Sequence, residues 1–590
     1  MKLAGGFKKI SISDSPTLLP LFRLFTFKPL LCRPRRSAAF RFAGSSKTLN
    51  PRKHHLVVRA SSMATSLPPP VHVNDTIVLT EKEQLIFDRL LQVVRHYNLQ
   101  TQLRVAGGWV RDKLLGKDSD DIDIALDNMK GREFCDKITE YLSSTGEGIT
   151  VAAVIASNPD QSKHLETARM RLYDMWIDFV NLRAEDYSKN TNSRIPDMRF
   201  GTAKEDADRR DLTINSLFYN ITNGVVEDFT GRGINDLKYG KIVTPLSPKE
   251  TFLDDPLRIL RAIRFGARFG FTLDQELKTA AASIEVKAAL AEKISRERVG
   301  HEVDLMVSGN DPVKAMTYIS DLSLFTAVFT VPPNFELTSL EGFDRPCIMN
   351  MEAIAKIFDL PDCCAFNDGE KRITFYAALL LPLRKIAYKD KKSKEIPLVD
   401  YIFRESLKLK MDDAKAVKII HSAAEKFVSL IPYFVSGKNM EAIEVVWDTE
   451  QIDIPIAAKL RVYAGLLLDE AKGLWRISLL VSTLLYPNSL DLTDYKNSHL
   501  DLTDKKEMFT TVENEIVKLG LEEVGLGNLK PLVDGKGIMD ALGLKSASAD
   551  VGRWQRKVRQ WQLAHRQATK EECIDWIKAC EDRKRKIDTL

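Results

Sequence analysis

The stretch RVAGGWVRDKLLGKDSDDIDIAL, residues 104–126, decides the fold. A short apolar run ends at Gly107 and Gly108 and leads into a helix that opens at Trp109, and the run DIDIAL has the apolar alternation of a strand. This order predicts an α/β unit. Its glycine turn is followed by a helix N-terminus and by Arg111, which together suit a phosphate group, although such turns often serve a purely steric purpose.

Two aspartates stand on the second predicted strand of this unit. Asp121 and Asp123 are two residues apart, so both carboxylates project from the same face. Such a pair is tolerable where it binds a divalent metal such as Mg²⁺, which prefers oxygen ligands, or where the strand face is simply exposed. Asp178, in the apolar run WIDFVNL, either completes the acidic cluster or lies on an exposed edge strand.

The segment KEDADRRDLTINSLFYN, residues 204–220, is predicted to form one helix with an apolar side and a polar side. Arg210 is placed to hold a triphosphate, and Asp211 and Asn215, four residues apart, are placed to form a hydrogen-bonded pair near the sugar. A helix that carries only surface ion pairs explains these residues equally well.

The segment TFLDDPLRILRAIRFGARFGF, residues 251–271, opens with Asp255 before a proline, the arrangement of a helix N-cap. Arg258 follows three residues later on the same helix face. An acceptor beside a planar donor fork matches the edges of cytosine and adenine, which present an amine donor next to a ring-nitrogen acceptor. Arg261 and Arg264 follow at three-residue steps, for phosphate or for acids within the fold.

Composition bounds the class of protein. The chain has 590 residues, of which 44% are hydrophobic and 28% charged, and its formal charge is +5. The first 62 residues hold 13 Lys and Arg and a single acid, so the rest of the chain carries −7. No apolar run approaches the roughly 18 residues that a membrane helix needs. We expect a multidomain protein without membrane spans, whose contacts with nucleic acid depend on local basic patches.

Residues 1–62 have the composition of an organelle transit peptide, although a basic arm that binds RNA has a similar composition. A second start at Met63 would produce a form without this segment. The seven cysteines are scattered without paired CxxC modules, which favours a reducing compartment and argues against a zinc site.

Beyond residue 253, strand patterns fade and amphipathic helices dominate. Near the C-terminus, the segment VGRWQRKVRQWQLAHRQAT, residues 551–569, predicts a helix that contains no acid. Its basic residues suit the phosphates of a structured RNA, although a solvated helix explains them too; they include Arg553, Arg556, Lys557 and Arg559.

These segments occur in an order that resembles the class II tRNA nucleotidyltransferases, the CCA-adding enzymes, of the polymerase β-like nucleotidyltransferase superfamily, and in particular their eukaryotic, plant-type members. The resemblance implies an α/β head with a mixed sheet and helices, the polymerase β-like palm, followed by an all-α neck, body and tail. After the transit peptide that composition predicts at 1–62 and a linker at 63–80, it implies the catalytic head at 81–245, the neck at 246–310, the body at 311–500 and a tRNA-binding tail at 501–590.

The resemblance also implies the chemistry. Asp121 and Asp123 would hold two Mg²⁺ ions, and Asp178 is our candidate for the proton acceptor. The nucleotide-binding residues would be Gly107, Gly108, Arg111, Arg210, Asp211, Asn215, Asp255, Arg258, Arg261 and Arg264. The substrates would be CTP, ATP and tRNA that lacks a complete 3′ CCA.

Two other functions stay open at this point. A poly(A) polymerase of the same superfamily would share the head residues, and a catalytically silent tRNA-binding factor would share the fold. The composition of residues 1–62 and the position of Met63 lead to a further hypothesis: a long form targeted to the mitochondrion, the chloroplast or both, and a cytoplasmic and nuclear form that starts at Met63. The sequence does not fix the oligomeric state.

Overall fold

The computed structural model describes residues 71–147, 153–155, 167–186, 196–333, 335, 342–361, 365–436, 452–486, 502–546 and 549–588. The predicted transit peptide at 1–62 and the second start at Met63 lie outside the described residues.

Thirteen strands are present among the described residues. They are β1 Leu103–Ala106, β2 Ile122–Leu126, β3 Ala153–Ile155, β4 Thr167–Leu172, β5 Met175–Asn181, β6 Arg183–Asp186, β7 Asp197–Phe200, β8 Phe218–Asn220, β9 Val225–Glu227, β10 Lys241–Ile242, β11 Thr272–Leu273, β12 Ala387–Lys389 and β13 Glu395–Pro397.

Seven of these strands form the sheet of the head, in the order β3-β4-β5-β2-β1-β8-β9. The pairing of β2 with β5 is parallel, and the other pairings in this sheet are antiparallel, so the predicted mixed sheet is confirmed. One face of the sheet is covered by helices: Ile122 and Ile124 of β2 and Ile177 and Phe179 of β5 are buried there. Asp123 and Asp178 project from the opposite face, where Ala125 is buried in a smaller apolar cluster with Ala207.

The described helices are α1 Glu81–His96, α2 Gly108–Leu114, α3 Gly131–Ser144, α4 Ala203–Asp208, α5 Gly233–Lys238, α6 Pro248–Asp254, α7 Leu257–Phe269, α8 Gln275–Ala281, α9 Ile284–Lys293, α10 Arg296–Val307, α11 Pro312–Asp321, α12 Phe325–Val328, α13 Asp344–Phe358, α14 Asp368–Leu380, α15 Leu398–Tyr401, α16 Met411–Val435, α17 Ile456–Ala471, α18 Trp475–Leu485, α19 Leu502–Lys518, α20 Glu522–Gly525, α21 Gly535–Leu542, α22 Ala549–Ala564 and α23 Lys570–Asp588. Of the helices in the described part of the chain, none combines the length and the apolar character that crossing a membrane requires.

The segment 204–220 is not one helix, and this prediction was wrong. Helix α4 ends at Asp208, a 3₁₀ turn covers Thr213–Asn215, and β8 follows. The break has a local cause, because the amide of Leu212 is capped by the carboxylate of Asp211 at 2.9 Å and the amide of Thr213 donates to the carbonyl of Val243 at 2.9 Å. Both amides are therefore unavailable to a continuing helix.

The helical part begins where the sequence predicted, although two short strand pairs, β10–β11 and β12–β13, interrupt or border it. The charged run at residues 389–395 forms the tip of the small hairpin of β12 and β13. The neck helix α10 is fastened to the body through Arg296, which donates to the carbonyl of Ala327 at 2.9 Å and of Ser406 at 2.6 Å.

Residues near two of the predicted domain limits pack as follows. Residues 71–74, assigned to a linker, contact the head: the amide of Val71 donates to the carbonyl of Lys238 at 2.9 Å, and Val73 is buried in the core. Helix α19, assigned to the tail, contributes Phe509 and Ile516 to the larger core, as does Leu563 of α22. A separate, smaller apolar cluster begins at Val533.

Candidate active site

A cavity of about 1300 Å³ opens between the sheet of the head and the helices α7 and α10. Most of the predicted site residues line it, although they come from segments far apart in the chain. They are Gly107, Gly108, Arg111, Asp121, Asp123, Arg210, Asp211, Asn215, Asp255, Arg258 and Arg261.

The acidic cluster lies at one side of this cavity. The parallel register of β2 and β5 places Asp123 beside Asp178, and Asp121 precedes β2 by one residue. One carboxylate oxygen from each of the three aspartates lies within 4.8 Å of the other two, and this is the one group with metal-ligand chemistry among the described residues. Asp178 therefore completes the acidic cluster, which is one of the two alternatives that the sequence left open.

Electrostatics at this cluster favour a cation. Burial and the neighbouring carboxylates of Asp121 and Asp178 raise the pKa of Asp123 to about 7, against the opposing charges of Arg210 and Arg169. A divalent cation would relieve this repulsion, and three carboxylates are ligands that hard cations prefer. The residues present therefore fit a divalent metal. Arg169, which the sequence analysis missed, donates to both oxygens of Asp178 at 2.6 Å.

The glycine turn brings backbone and guanidinium groups close together. Gly107 has φ 76°, and a Cβ there would lie 2.7 Å from Nη1 of Arg210. Arg210 is held in place by Asp206, which accepts from its Nε at 3.0 Å and its Nη2 at 2.9 Å. Glycine at position 107 is thus required by positive φ and by the passage of the Arg210 side chain.

A chain of hydrogen bonds connects the glycine turn to the neck. Arg111 donates to the side chain of Asn215, Asn215 donates to Asp211 at 3.1 Å, and Nε of Arg261 donates to Asp211 at 2.7 Å. The predicted pair of Asp211 and Asn215 is confirmed. Burial alone would raise the pKa of Asp211, but Arg261 and Asn215 outweigh it and lower the pKa to about 2. Glu302 of α10 continues the chain, 3.9 Å from Arg261.

Each member of the predicted base-reading pair, Asp255 and Arg258, has a charged partner elsewhere in the site. Asp255 accepts from Nη2 of Arg298 at 2.9 Å and caps the amide of Leu257 at 3.2 Å. Arg258 lies 3.6 Å from the buried carboxylate of Glu185 in β6. The pKa of Asp255 is lowered, because Arg298 and Arg258 outweigh the effect of burial.

Arg264 differs from the expectation, because it does not line the cavity. Its Nε donates to Glu302 at 2.7 Å, and its guanidinium lies 4.4 Å from the ring of Phe265. The reason is helical geometry: three residues turn a helix by about 300°, so each three-residue step drifts by about 60°. Two such steps after Arg258 carry Arg264 away from the cavity.

Several residues of the cavity were not predicted from the sequence. The ionisable side chains among them are Asp112, Arg183, Glu185, Arg209, Arg268, Glu297, Arg298 and His301. Glu302, next to His301, is only 3% exposed. A buried acid within an otherwise amphipathic helix is an indication that could have been found, since such a group requires a partner.

The four basic residues of α22 lie outside this cavity. Arg559 is committed to the fold: it donates to Asp469 of α17 at 2.6 Å and so joins the tail to the body. Arg553 pairs with Asp550, and the ammonium of Lys557 lies 5.2 Å from the ring of Trp554.

Comparisons with known proteins agree with this geometry. Residues 103–243 match the family described as the poly A polymerase head domain. The chain is 33% identical over 543 residues to the mitochondrial CCA tRNA nucleotidyltransferase of Candida glabrata. This alignment covers 85% of this chain and 96% of that protein. The corresponding enzyme of Saccharomyces cerevisiae is 32% identical over 549 residues, covering 85% and 94%.

A solved structure supports the fold alone. The CCA-adding enzyme of Bacillus stearothermophilus in complex with CTP aligns with a TM-score of 0.54 at 17% identity, over 86% of this chain and all of that one. The similarity to each of these two enzymes covers 85% of this chain. The chain therefore belongs to the CCA-adding tRNA nucleotidyltransferases of the poly(A) polymerase-like superfamily.

Proposed function

We propose that this protein adds CCA to the 3′ end of tRNA, using CTP and ATP without a nucleic-acid template. The observation that carries the proposal is the cavity that joins Asp121 and Asp123 of the acidic triad, arginines suited to a triphosphate and the Asp255–Arg258 pair; Asp178 lies beside Asp123 and does not itself line the cavity. Neither a metal site nor a nucleotide pocket alone would indicate this reaction, but their combination in one cavity does.

Gly107, Gly108, Arg111 and Arg210 would bind the triphosphate. The guanidinium of Arg210 is fixed by Asp206, and that of Arg111 by Asp112 at 2.8 and 2.9 Å, so both are preorganised before the nucleotide enters. Preorganised charge lowers the cost of binding and of stabilising the reacting phosphates. Asp211 and Asn215 would hold Arg261 near the sugar and base.

Asp121 and Asp123 would hold Mg²⁺, with Asp178 beside them. Bound Mg²⁺ would supply Lewis-acid stabilisation of negative charge on the reacting phosphates. The surrounding side chains orient the substrates so that the RNA 3′-oxygen forms a bond to the α-phosphorus in line with the departing pyrophosphate. The proton of the 3′-hydroxyl leaves in the same step, and Asp178, oriented by Arg169, is our candidate acceptor.

Asp255 and Arg258 would select cytosine and adenine together, because both bases present an amine donor beside a ring-nitrogen acceptor. In the structure Asp255 is paired with Arg298 at 2.9 Å, and Arg258 lies 3.6 Å from Glu185. The choice between C and A at successive steps needs a further change in the pocket, and the segment EDFTGRGINDL, residues 227–237, is where we expect it.

The tail would contact tRNA phosphates through Arg553, Arg556 and Lys557, while Arg559 secures the tail to the body. We further propose that the long form enters the mitochondrion, since the two yeast relatives are mitochondrial enzymes. Chloroplast targeting, a cytoplasmic and nuclear form that starts at Met63, and the plant type of the enzyme stay predictions from the sequence.

The proposal is tested by comparing the wild-type chain with the double variant Asp121→Ala/Asp123→Ala. Wild type should extend a tRNA transcript that lacks CCA, whereas the double variant should bind this tRNA with unchanged affinity and add nothing. Asp120→Ala is the matched control, because Asp120 is exposed and lies outside the cavity. Extension by the double variant would overturn the metal assignment, and tight binding without extension by wild type would indicate a silent tRNA-binding factor.

A further inference from the structure

The face of the head sheet that carries Asp123 and Asp178 continues past the acidic triad to strand β4. In the antiparallel register of β4 and β5, Asp178 pairs with Arg169 and Trp176 pairs with Arg171. Because side chains alternate between faces, all four project from this same face. In the parallel register of β2 and β5, Ile122 pairs with Ile177, so Asp121 is aligned with Trp176.

Trp176, Arg169 and Arg171 therefore form a surface directly beside the triad, which we call the Trp176 surface. Trp176 is 51% exposed, and it is the only tryptophan among the exposed large hydrophobic residues in the described ranges. The side chains of Arg169 and Arg171 are 40% and 54% exposed. A half-exposed indole beside two guanidinium groups leaves apolar area in contact with water, which is typical of a binding surface.

The location of the Trp176 surface identifies what it faces. Asp121 and Asp123 line the nucleotide cavity, whereas Trp176, Arg169 and Arg171 do not. The triad thus lies between the cavity and the Trp176 surface. An in-line displacement requires the attacking oxygen to approach the α-phosphorus from the side opposite the pyrophosphate. A nucleotide held in the cavity would therefore be attacked from the direction of the Trp176 surface.

We propose that Trp176 stacks against a base at the 3′ end of the RNA and that Arg169 and Arg171 contact its phosphates. This inference rests on the proposed function, since it assigns the position of the RNA end in the same reaction. Stacking fits a site that must accept different terminal bases as the RNA grows, because every base presents a π-face. The Cα atoms of Trp176 and Asp178 are about 7 Å apart along the strand. A base stacked on Trp176 would therefore lie close to Asp178, the candidate proton acceptor.

The two arginines have additional partners that set their orientation. Arg169 donates to both oxygens of Asp178, and Arg171 lies 3.3 Å from Asp174. Each guanidinium keeps further N–H donors beyond these contacts, since a guanidinium carries five. Arg169 therefore can orient Asp178 and contact RNA at the same time, which makes it a positioning residue as well as a contact.

The test uses the full chain with Trp176→Ala, the conservative Trp176→Tyr, and Tyr239→Ala as a matched control. Tyr239 is 64% exposed and lies outside the cavity and the Trp176 surface. Trp176→Ala should raise the KM for tRNA by about 5- to 150-fold, the range for loss of one base-aromatic stack, and leave the KM for CTP unchanged. Trp176→Tyr, which keeps an aromatic ring, should have a KM for tRNA close to that of wild type, and Tyr239→Ala should behave as wild type.

A second readout does not depend on extension. In a tRNA whose last base is 2-aminopurine, stacking on Trp176 should quench the fluorescence of that base, and Trp176→Ala should remove the quenching. If wild type extends tRNA while Trp176→Ala equals the Tyr239→Ala control in both readouts, the inference is wrong and the proposed function stands. If wild type does not extend tRNA, the proposed function fails, and the quenching result alone decides whether the Trp176 surface binds an RNA end.

Discussion

Replacing Asp255 with Ala tests how the cavity selects bases. The carboxylate makes two contacts that would be lost, an ion pair with Arg298 at 2.9 Å and a hydrogen bond from the amide of Leu257 at 3.2 Å. Nη1 of Arg298 is already buried without a hydrogen-bond partner among the described residues. The variant therefore leaves a buried guanidinium with less compensation, and it removes the acceptor for the amine of the base.

The two effects have different sizes and different readouts. The lost cap and the uncompensated charge together should reduce the free energy of unfolding by about 2–4 kcal/mol. The lost base contact should reduce discrimination by about 1–3 kcal/mol, which lowers the ratio of kcat/KM for CTP over UTP by about 5- to 150-fold. This ratio is independent of the amount of folded enzyme, because both nucleotides are assayed on the same preparation.

The assay measures single-nucleotide addition to tRNA with CTP and with UTP, for wild type, Asp255→Ala and Asp254→Ala. Asp254 is the matched control, since it is the neighbouring acid and does not line the cavity. We expect its CTP-over-UTP ratio to equal that of wild type. An unchanged ratio in Asp255→Ala would refute the assignment of Asp255 to base selection, whatever happens to stability.

Three further predictions concern the rest of the molecule. Gly300→Ala should cost more than the roughly 1–3 kcal/mol that overpacking ordinarily costs, because the added Cβ would lie 1.7 Å from the carbonyl oxygen of Leu407. Gly552→Ala, which has open space around the added Cβ, should stabilise the protein by about 0.5–1 kcal/mol. Thermal unfolding compares the two variants, and equal melting temperatures would contradict the packing of α10. Burial lowers the pKa of His421 to about 4, despite the hydrogen bond between its Nε2 and the carbonyl of Ala377. The unfolded state therefore takes up a proton that the folded state does not, and the free energy of unfolding should fall by about 3 kcal/mol as the pH drops from about 6.5 to about 4. Denaturant titration should show a smaller fall in His421→Gln, and an equal fall would refute His421 as the source of this pH dependence. Chelation of divalent cations should abolish nucleotide addition but not tRNA binding, and addition that persists after exhaustive chelation would contradict the metal assignment.

The local chemistry of the site was predictable from the sequence because it is written in short segments. The glycine turn, Asp121 and Asp123 on one strand face, and the pair of Asp211 and Asn215 depend on spacings of one to four residues, and the structure contains each of them. Periodicity fixes such neighbours without knowledge of the remaining chain.

Long-range partners were not predictable in this way. Glu185 contacts Arg258, and Arg298 contacts Asp255, across 73 and 43 residues of sequence. Periodicity contains no information on which distant charges meet, because that depends on how the neck helix packs on the head. The same limit explains Arg264, whose polar spacing suggested the cavity but whose partner, Glu302, lies on another helix.

The helix predicted over residues 204–220 failed for a different reason. Leu212, Leu217 and Phe218 are all fully buried, which a helical pattern also explains. In the structure, Asp211 instead caps the amide of Leu212, and the chain continues into β8, the second strand from the edge of the sheet. Asp and Asn compete with the helix for backbone hydrogen bonds, so their presence within the segment favoured the break.

The most direct test of the central claim is the length and sequence of the product. The full chain is incubated with Mg²⁺, all four nucleoside triphosphates and a tRNA transcript that ends before CCA, and the products are sequenced. We predict addition of CCA followed by arrest, with no incorporation of U or G. A long adenosine ladder would contradict the account and identify a poly(A) polymerase instead.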